Sequence, residues 1–139
     1  MIPGPALIGF DPGSVKCGLA VVGLDKVLHY HQVVAVDDIP STLQQLRESY
    51  PVSGIVMGDQ TRSKQWKETL MSLPGAPRIT LVDERYSSLE ARDRYWEMYP
   101  PKGLAKLMPQ SLRSIPRPID DIVAILLVER YLKRLAGED

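Results

Sequence analysis

Acidic residues stand at four places where an apolar run ends or a helix begins: Asp11, Asp59, the pair Asp83-Glu84 and the pair Asp120-Asp121. Carboxylates gathered in one place repel and raise each other's pKa unless a cation neutralises them. Their hard oxygens suit Mg²⁺ or Mn²⁺ better than zinc. Two such ions about 3.5–4 Å apart activate a water and stabilise the leaving oxygen when a phosphodiester is hydrolysed. That chemistry needs no nucleophilic Ser or Cys, and none stands out in the chain. Each acid also has a plainer reading. Asp11 before Pro12-Gly13 suits a turn, Asp59 and Asp83 suit helix caps, and Asp120 and Asp121 suit a helix N-terminus through its dipole. A shared metal site therefore depends on the fold bringing these segments together.

The elements that must do so are legible in the hydrophobic rhythm. Ala6 to Asp11 is a nearly continuous apolar run, the pattern of a central strand covered on both faces, and Pro12-Gly13 then turns the chain. Cys17 to Gly23 is a second run and, after the turn Gly23-Leu24-Asp25-Lys26, Val27 to Val36 is a third. Connections this short imply antiparallel hairpins. The rhythm then changes: Ser41 to Ser49 has helical spacing, Gly54 to Gly58 is a short buried strand, Arg62 to Leu73 is helical and Arg78 to Val82 is another strand. Helical crossovers imply parallel pairing for these later strands. Ser87, with Glu90 three residues on, predicts a capping box opening a helix that carries Leu89, Tyr95, Trp96 and Tyr99 and ends at Pro100-Pro101. From Pro100 to Pro118 five prolines and one glycine predict a long irregular connection with a turn around Leu104 to Met108. Ile119 to Leu135 then reads as a long apolar helix with Glu129, Arg130, Lys133 and Arg134 on its solvent side.

A length of 139 residues fits one domain, and no internal repeat, low-complexity tract or boundary divides it. With 44% hydrophobic and 24% charged residues, the composition is that of a globular chain and excludes a disordered one. The element order predicts an α/β fold: a mixed five-stranded sheet, three hairpin-linked strands followed by two parallel ones, with helices on both faces. The first, fourth and fifth strands then run parallel, so their carboxyl ends open on one edge, where open α/β sheets bind ligands. Alternation along a strand sends Asp83 and Glu84 to opposite faces, so one of the two enters the site. Asp120 and Asp121 differ by about 100° around the last helix. Both fall within its broad apolar arc of Ala124, Val128, Tyr131 and Leu132, so spacing leaves the choice between them open.

Seventeen basic residues balance 17 acidic ones, so any attraction to nucleic acid must come from local patches. Between Lys102 and Pro118 stand Lys102, Lys106, Arg113 and Arg117 with no acid, the best local candidate for a phosphate-binding surface; a solvated loop explains the same charges. Arg62, Lys64 and Lys67 could add to the groove or be an exposed helix face. His29 and His31 share a strand face without a third ligand at suitable spacing, which favours a half-exposed strand surface over a metal site. Trp66, Tyr95 and Trp96 could stack on bases, although aromatics at helical spacing more often belong to a core. Cys17 is the one cysteine, which excludes an internal disulfide framework and a Cys-rich zinc site and suits a reducing cytosol. The opening Met1-Ile2-Pro3-Gly4-Pro5 lacks a basic n-region and cleavage signal, and no apolar run approaches spanning length, so a cytoplasmic protein without membrane association is expected.

Several stretches resemble one family. Gly9-Phe10-Asp11-Pro12-Gly13-Ser14-Val15-Lys16-Cys17-Gly18-Leu19-Ala20 resembles the G-[IF]-D-x-G-x-K-x-x-G-x-A opening of the YqgF (RuvX) nucleases. Ile55-Val56-Met57-Gly58 is similar to their I-V-x-G strand, and Asp83-Glu84-Arg85-Tyr86-Ser87-Ser88-Leu89-Glu90-Ala91 to their D-E-R-x-[ST]-[ST]-x-E-A segment, the most specific match. Asp120-x-x-Val123-Ala124, with Leu127-Val128 and Tyr131-Leu132, resembles their D-x-x-A-A-x-x-I-L-x-x-Y-L helix. These stretches span nearly the whole chain in the family's order. The departures are Cys17 where the family usually has Arg, Gly58-Asp59-Gln60 where it continues G-L-P, and a longer Pro-rich connection.

The resemblance implies a ribonuclease H-like fold related to the RuvC Holliday-junction resolvases, and nucleolytic maturation of the 5′ end of pre-16S ribosomal RNA. It implies that Asp11, Glu84 and Asp120 are the catalytic acids that bind Mg²⁺ or Mn²⁺, with Asp121 in reserve and Asp59 as an extra ligand. It also places Lys16 and Arg85, each within a motif, at the catalytic edge beside the nucleic acid. The expected activity is thus a metal-dependent ribonuclease acting on precursor rRNA, as a monomer or homodimer. A resolvase cutting branched DNA would require a dimer, because two strands are cut symmetrically. A non-catalytic RNA- or ribosome-binding module would bind without metal-dependent cleavage. An actin-like kinase also opens with an Asp-x-Gly hairpin but needs two such lobes, and 139 residues supply one.

Overall fold

The structure, a computed structural model, describes residues 4–60, 62–75 and 77–137. Most of Met1 to Pro5, read above for a leader, lies outside these residues. The strands are β1 (Ala6–Asp11), β2 (Lys16–Gly23), β3 (Leu28–Ala35), β4 (Val52–Gly58) and β5 (Ile79–Val82), ordered β3-β2-β1-β4-β5 in one sheet. The hairpins make β1–β2 and β2–β3 antiparallel, and the helical crossovers make β1–β4 and β4–β5 parallel. This is the mixed α/β sheet expected from the element order. β1, fully buried from Ala6 to Phe10, occupies the middle, as its unbroken apolar run requires. At the edge, β3 buries Val34 alone.

Helices cover both faces. On one lie α1 (Ile39–Ser49) and α2 (Ser63–Met71), presenting Ile39, Leu43, Leu46, Trp66 and Leu70 to Ile8, Phe10, Leu19, Val21, Ile55 and Met57. Trp66 rests on Phe10 with ring centroids 5.1 Å apart, so it is a core residue. On the other face lie α3 (Ser87–Met98) and α4 (Asp120–Leu135) over Leu7, Ala20, Val22, Val56 and Val82. Every residue of α4 from Asp121 to Val128 is buried, because the sheet lies under it while α3, Ile115 and Ile119 pack against its other sides. Arg94 of α3 joins Glu129 of α4 through two hydrogen bonds, at 2.9 and 2.7 Å. Such a forked pair fixes geometry as well as adding energy.

One expectation needs correction. The predicted capping box at Ser87 does not form: the residue before the helix is Tyr86, in left-handed conformation, and Ser87 is already helical and buried. Its backbone N–H is satisfied by the Glu84 carbonyl at 3.1 Å, so a turn replaces the side-chain cap. His29 and His31 are half-buried on β3 as expected, and His31 has a partner besides, since α4 reaches across β2 and its Asp121 accepts from His31 Nδ1 at 2.6 Å. The Pro-rich connection has the expected turn, as a 3₁₀ turn at Gly103–Leu107, with a second at Gln110–Leu112, and it folds back on α3. Arg113 holds it there, donating to the carbonyls of Ala105 and Met108 and lying 5.4 Å from the centre of the Trp96 ring.

The start of α4 comes so close to β2 that a methyl group on Gly18 would overlap the backbone carbonyl of Asp120. Backbone cannot yield as a flexible side chain can. Gly18→Ala is therefore expected to destabilise the protein by at least about 1–3 kcal/mol, read as a lower midpoint in urea unfolding with an unchanged slope.

Candidate active site

Because β1, β4 and β5 run parallel, their carboxyl ends share one edge, and a cleft of about 500 Å³ opens there. Asp11 enters it as the last residue of β1, Glu84 from two residues beyond β5, and Asp120 as the first residue of α4. Gln60, Arg62 and Tyr86 complete much of its wall. The turn carrying Asp11 is braced from the far face of the sheet, where the Trp66 indole N–H donates to the Gly13 carbonyl at 2.9 Å.

Glu84 is placed with equal care. The absence of a side chain on Gly58 leaves room for it, since a Cβ there would stand 2.6 Å from the Glu84 carboxyl carbon. The backbone N–H of Gln60 donates to Glu84 Oε1 at 3.0 Å. Arg130 of α4 then clamps the strand exit from outside, donating to the carbonyls of Asp83 and Arg85 at 2.7 and 2.8 Å and pairing with Glu90 at 3.1 Å. Helical spacing assigned Arg130 to solvent. Its true role was hidden because its partners are backbone carbonyls, which carry no sequence signal.

The electrostatics follow from this crowding. Burial pushes the Asp11 carboxyl up to about 8, helped by the negative charges of Glu84 and Asp120 and by a hydrogen bond to Glu84. Burial also raises Glu84, opposed by the Gln60 N–H. The donors are carboxylate oxygens with charge in excess, a set that fits a hard divalent cation such as Mg²⁺ or Mn²⁺. Among the described residues no three His, Cys, Asp or Glu groups already converge in coordination geometry. Asp11, Glu84 and Asp120 are the residues that would close on such an ion.

The neighbouring acids have other employment. Asp121, fully buried, accepts from His31, from Arg117 Nη2 at 2.7 Å and from its own helix at the Ile122 N–H. His31 Nε2 in turn lies 3.3 Å from the Tyr99 hydroxyl. Asp83 points away from the cleft and accepts from the backbone and side chain of Arg85, which holds its carboxyl below the usual range. Asp59 is exposed beside the cleft, near enough for its charge to raise Glu84.

The basic candidates are dispersed. Lys16 is exposed at the start of β2, and Lys102 and Lys106 are exposed on the Pro-rich connection, none of them lining the acid cleft. Arg113 is occupied with its own loop, and Arg85 faces a neighbouring cleft with Arg130 and Arg134. Arg62 is the basic residue that does line the acid cleft.

No family model matches the chain, and no curated protein does. Among solved structures, a protein assigned as a sugar kinase from Cytophaga hutchinsonii ATCC 33406 is similar to part of it, with 11% identity and a TM-score of 0.43 over 63% of this chain and 38% of that one. A likeness of that size argues for neither a shared fold nor a shared activity. No helix among the described residues is long and apolar enough to cross a membrane.

Two adjacent acids with opposite roles give a direct test. Asp121→Ala strands Arg117 and His31 and is expected to destabilise the fold by about 3–5 kcal/mol, whereas Asp120→Ala relieves repulsion and leaves stability unchanged or raised; urea unfolding of both variants checks this. A second expectation concerns pH. With its pKa raised to about 8, folded Asp11 keeps a proton that the unfolded chain has released above its ordinary value of 3.8. Metal-free protein should therefore lose stability as pH rises from about 4 through about 8. Melting temperatures at about pH 6 and about pH 8.5 should show that slope flattened in Asp11→Asn.

Proposed function

We propose that this protein hydrolyses phosphodiester bonds in nucleic acid with a divalent cation, Mg²⁺ or Mn²⁺, held by Asp11, Glu84 and Asp120. The observation that carries the reading is that these three acids, from segments far apart in sequence, line one open cleft at the edge where the parallel strands end. A cation there would supply the positive charge that polarises a phosphodiester and lowers the pKa of an attacking water. Asp11, whose carboxyl is pushed by burial up to about 8, would keep its proton beside Glu84 while the cleft is unneutralised and would give it up to solvent if a cation supplied the positive charge. Asp120 lines the cleft from the helix side, so the three acids that would hold a cation come from different elements. Arg62 at the rim is the group available to a substrate phosphate.

The resemblance to the YqgF (RuvX) nucleases names the substrate: precursor 16S ribosomal RNA, trimmed at its 5′ end. The matched motifs support this reading, since they include all three cleft acids in the family's order.

Purified protein with Mg²⁺ or Mn²⁺ is expected to cleave a precursor rRNA fragment. Asp11→Asn, Glu84→Gln and Asp120→Asn are each expected to lower the rate by about 100-fold or more. Symmetric cutting of a four-way DNA junction in preference to the RNA would replace this reading with a resolvase. RNA binding without any metal-dependent cleavage that Asp11→Asn abolishes would replace it with a binding module.

A further inference from the structure

Tyr86 is difficult to explain as a structural residue. Its side chain is 75% exposed, although an aromatic ring normally gains most by burial. Its backbone is left-handed, with φ at 63°, a conformation that a bulky L-residue adopts at a cost of about 1–3 kcal/mol. The flanking contacts enforce it. Arg130 grips the carbonyls on both sides of Glu84, Asp83 accepts from the Arg85 N–H, and Ser87 donates to the Glu84 carbonyl. The turn that aims Glu84 inward thereby throws the Tyr86 ring outward.

What the ring meets there is informative. Tyr86 lines the acid cleft and also a second cleft of about 360 Å³, so it forms the divide between them. The second cleft carries Arg85, Arg130 and Arg134 together with Asp83 and Glu90. Arg130 is engaged with the turn and with Glu90, Arg85 is 76% exposed in a surface pair with Asp83 at 3.1 Å, and Arg134 is exposed. Leu89, 63% exposed, adds an apolar surface on the acid-cleft side of the ring. An acid cleft, an exposed aromatic face and a cleft with three arginines to two acids therefore follow one another across the surface. A polynucleotide strand alternates phosphates with flat apolar bases, and single-strand sites combine basic grooves with aromatic platforms in this way.

We propose that Tyr86 is a stacking platform for one unpaired nucleobase next to the scissile bond, with Arg85 and Arg134 receiving the phosphate backbone as the strand leaves the acid cleft. This rests on the nucleic-acid reading above and adds to it a substrate form. A base paired in a duplex presents no free face to the ring, so the site selects single-stranded or locally unpaired nucleic acid. Stacking tolerates any base, and the selection is for strandedness and not for sequence.

The test is fluorescence anisotropy with the full chain carrying Asp11→Asn, so that a labelled single-stranded RNA is bound without being cut. Adding Tyr86→Ala is expected to weaken binding by between about 5-fold and about 150-fold. Tyr86→Trp should restore it, and affinity for a blunt duplex of the same sequence should not change. An abasic nucleotide walked along the RNA should reproduce the loss at one position, where Tyr86→Ala then adds nothing. If the single strand binds and Tyr86→Ala leaves it within about twofold, or weakens duplex and single strand alike, the platform is overturned while the nucleic-acid reading stands. If no oligonucleotide binds even before Tyr86 is altered, the nucleic-acid reading fails and the platform fails with it.

Discussion

The seating of α4 on the middle of the sheet is the constraint on which the other features depend. The helix delivers Asp120 from its first turn, buries Asp121 against β3 through His31, and holds α3 through Glu129. The next residue, Arg130, secures the exit of β5 that carries Glu84. All of this requires the helix backbone to approach β2 closely, and Gly18 is what permits it. A rise of the helix by even the thickness of a methyl group would withdraw one acid directly and loosen the support of a second.

The same seating explains why acids are tolerated in so dense a cluster. Repulsion among Asp11, Glu84 and Asp120 opposes folding, and it is opposed in turn by apolar burial along α4 and by the forked Arg94–Glu129 pair. Asp121 meets its cost of burial through a cation, an imidazole and a backbone N–H, whereas Asp11 does so by taking up a proton. A carboxyl satisfied by built-in partners is structural. One left to its protons and its like-charged neighbours has a charge that the fold itself does not meet.

The turn after β5 joins the support of the acids to the shape of the outer surface. Backbone hydrogen bonds that aim Glu84 inward leave Tyr86 in a strained, exposed position, so the placement of the carboxylate and of the aromatic ring are one geometric event. The expectation of a capping box at Ser87 overlooked this, because the pattern Ser-x-x-Glu is the same whether the side chain or the preceding turn satisfies the helix end. The basic residues of the Pro-rich connection divide in the fold, with Lys102 and Lys106 exposed and Arg117 paired with Asp121. Arg113 serves its own loop, and local charge density could not reveal that its partners are carbonyls eight and five residues away.

The sequence by itself determined the sheet and its order of elements, because a period of two or an unbroken apolar run reports burial directly, and short or helical connections dictate the direction of pairing. It also indicated that acids follow the parallel strands and that one of Asp83 and Glu84 enters the site, although both lie beyond β5 and the turn, not strand alternation, is what parts them. Spacing left open which of Asp120 and Asp121 faces the cleft, the resemblance favoured Asp120, and tertiary structure supplied the physical reason. Both lie on one apolar arc of α4, and the distinction came from His31 on β3 and Arg117 ahead of the helix, contacts made across the fold. It likewise assigned Arg130 to the backbone and Tyr86 to the surface. Periodicity reports how deeply a residue is buried, but the identity of its partner depends on elements that meet only when the chain has folded.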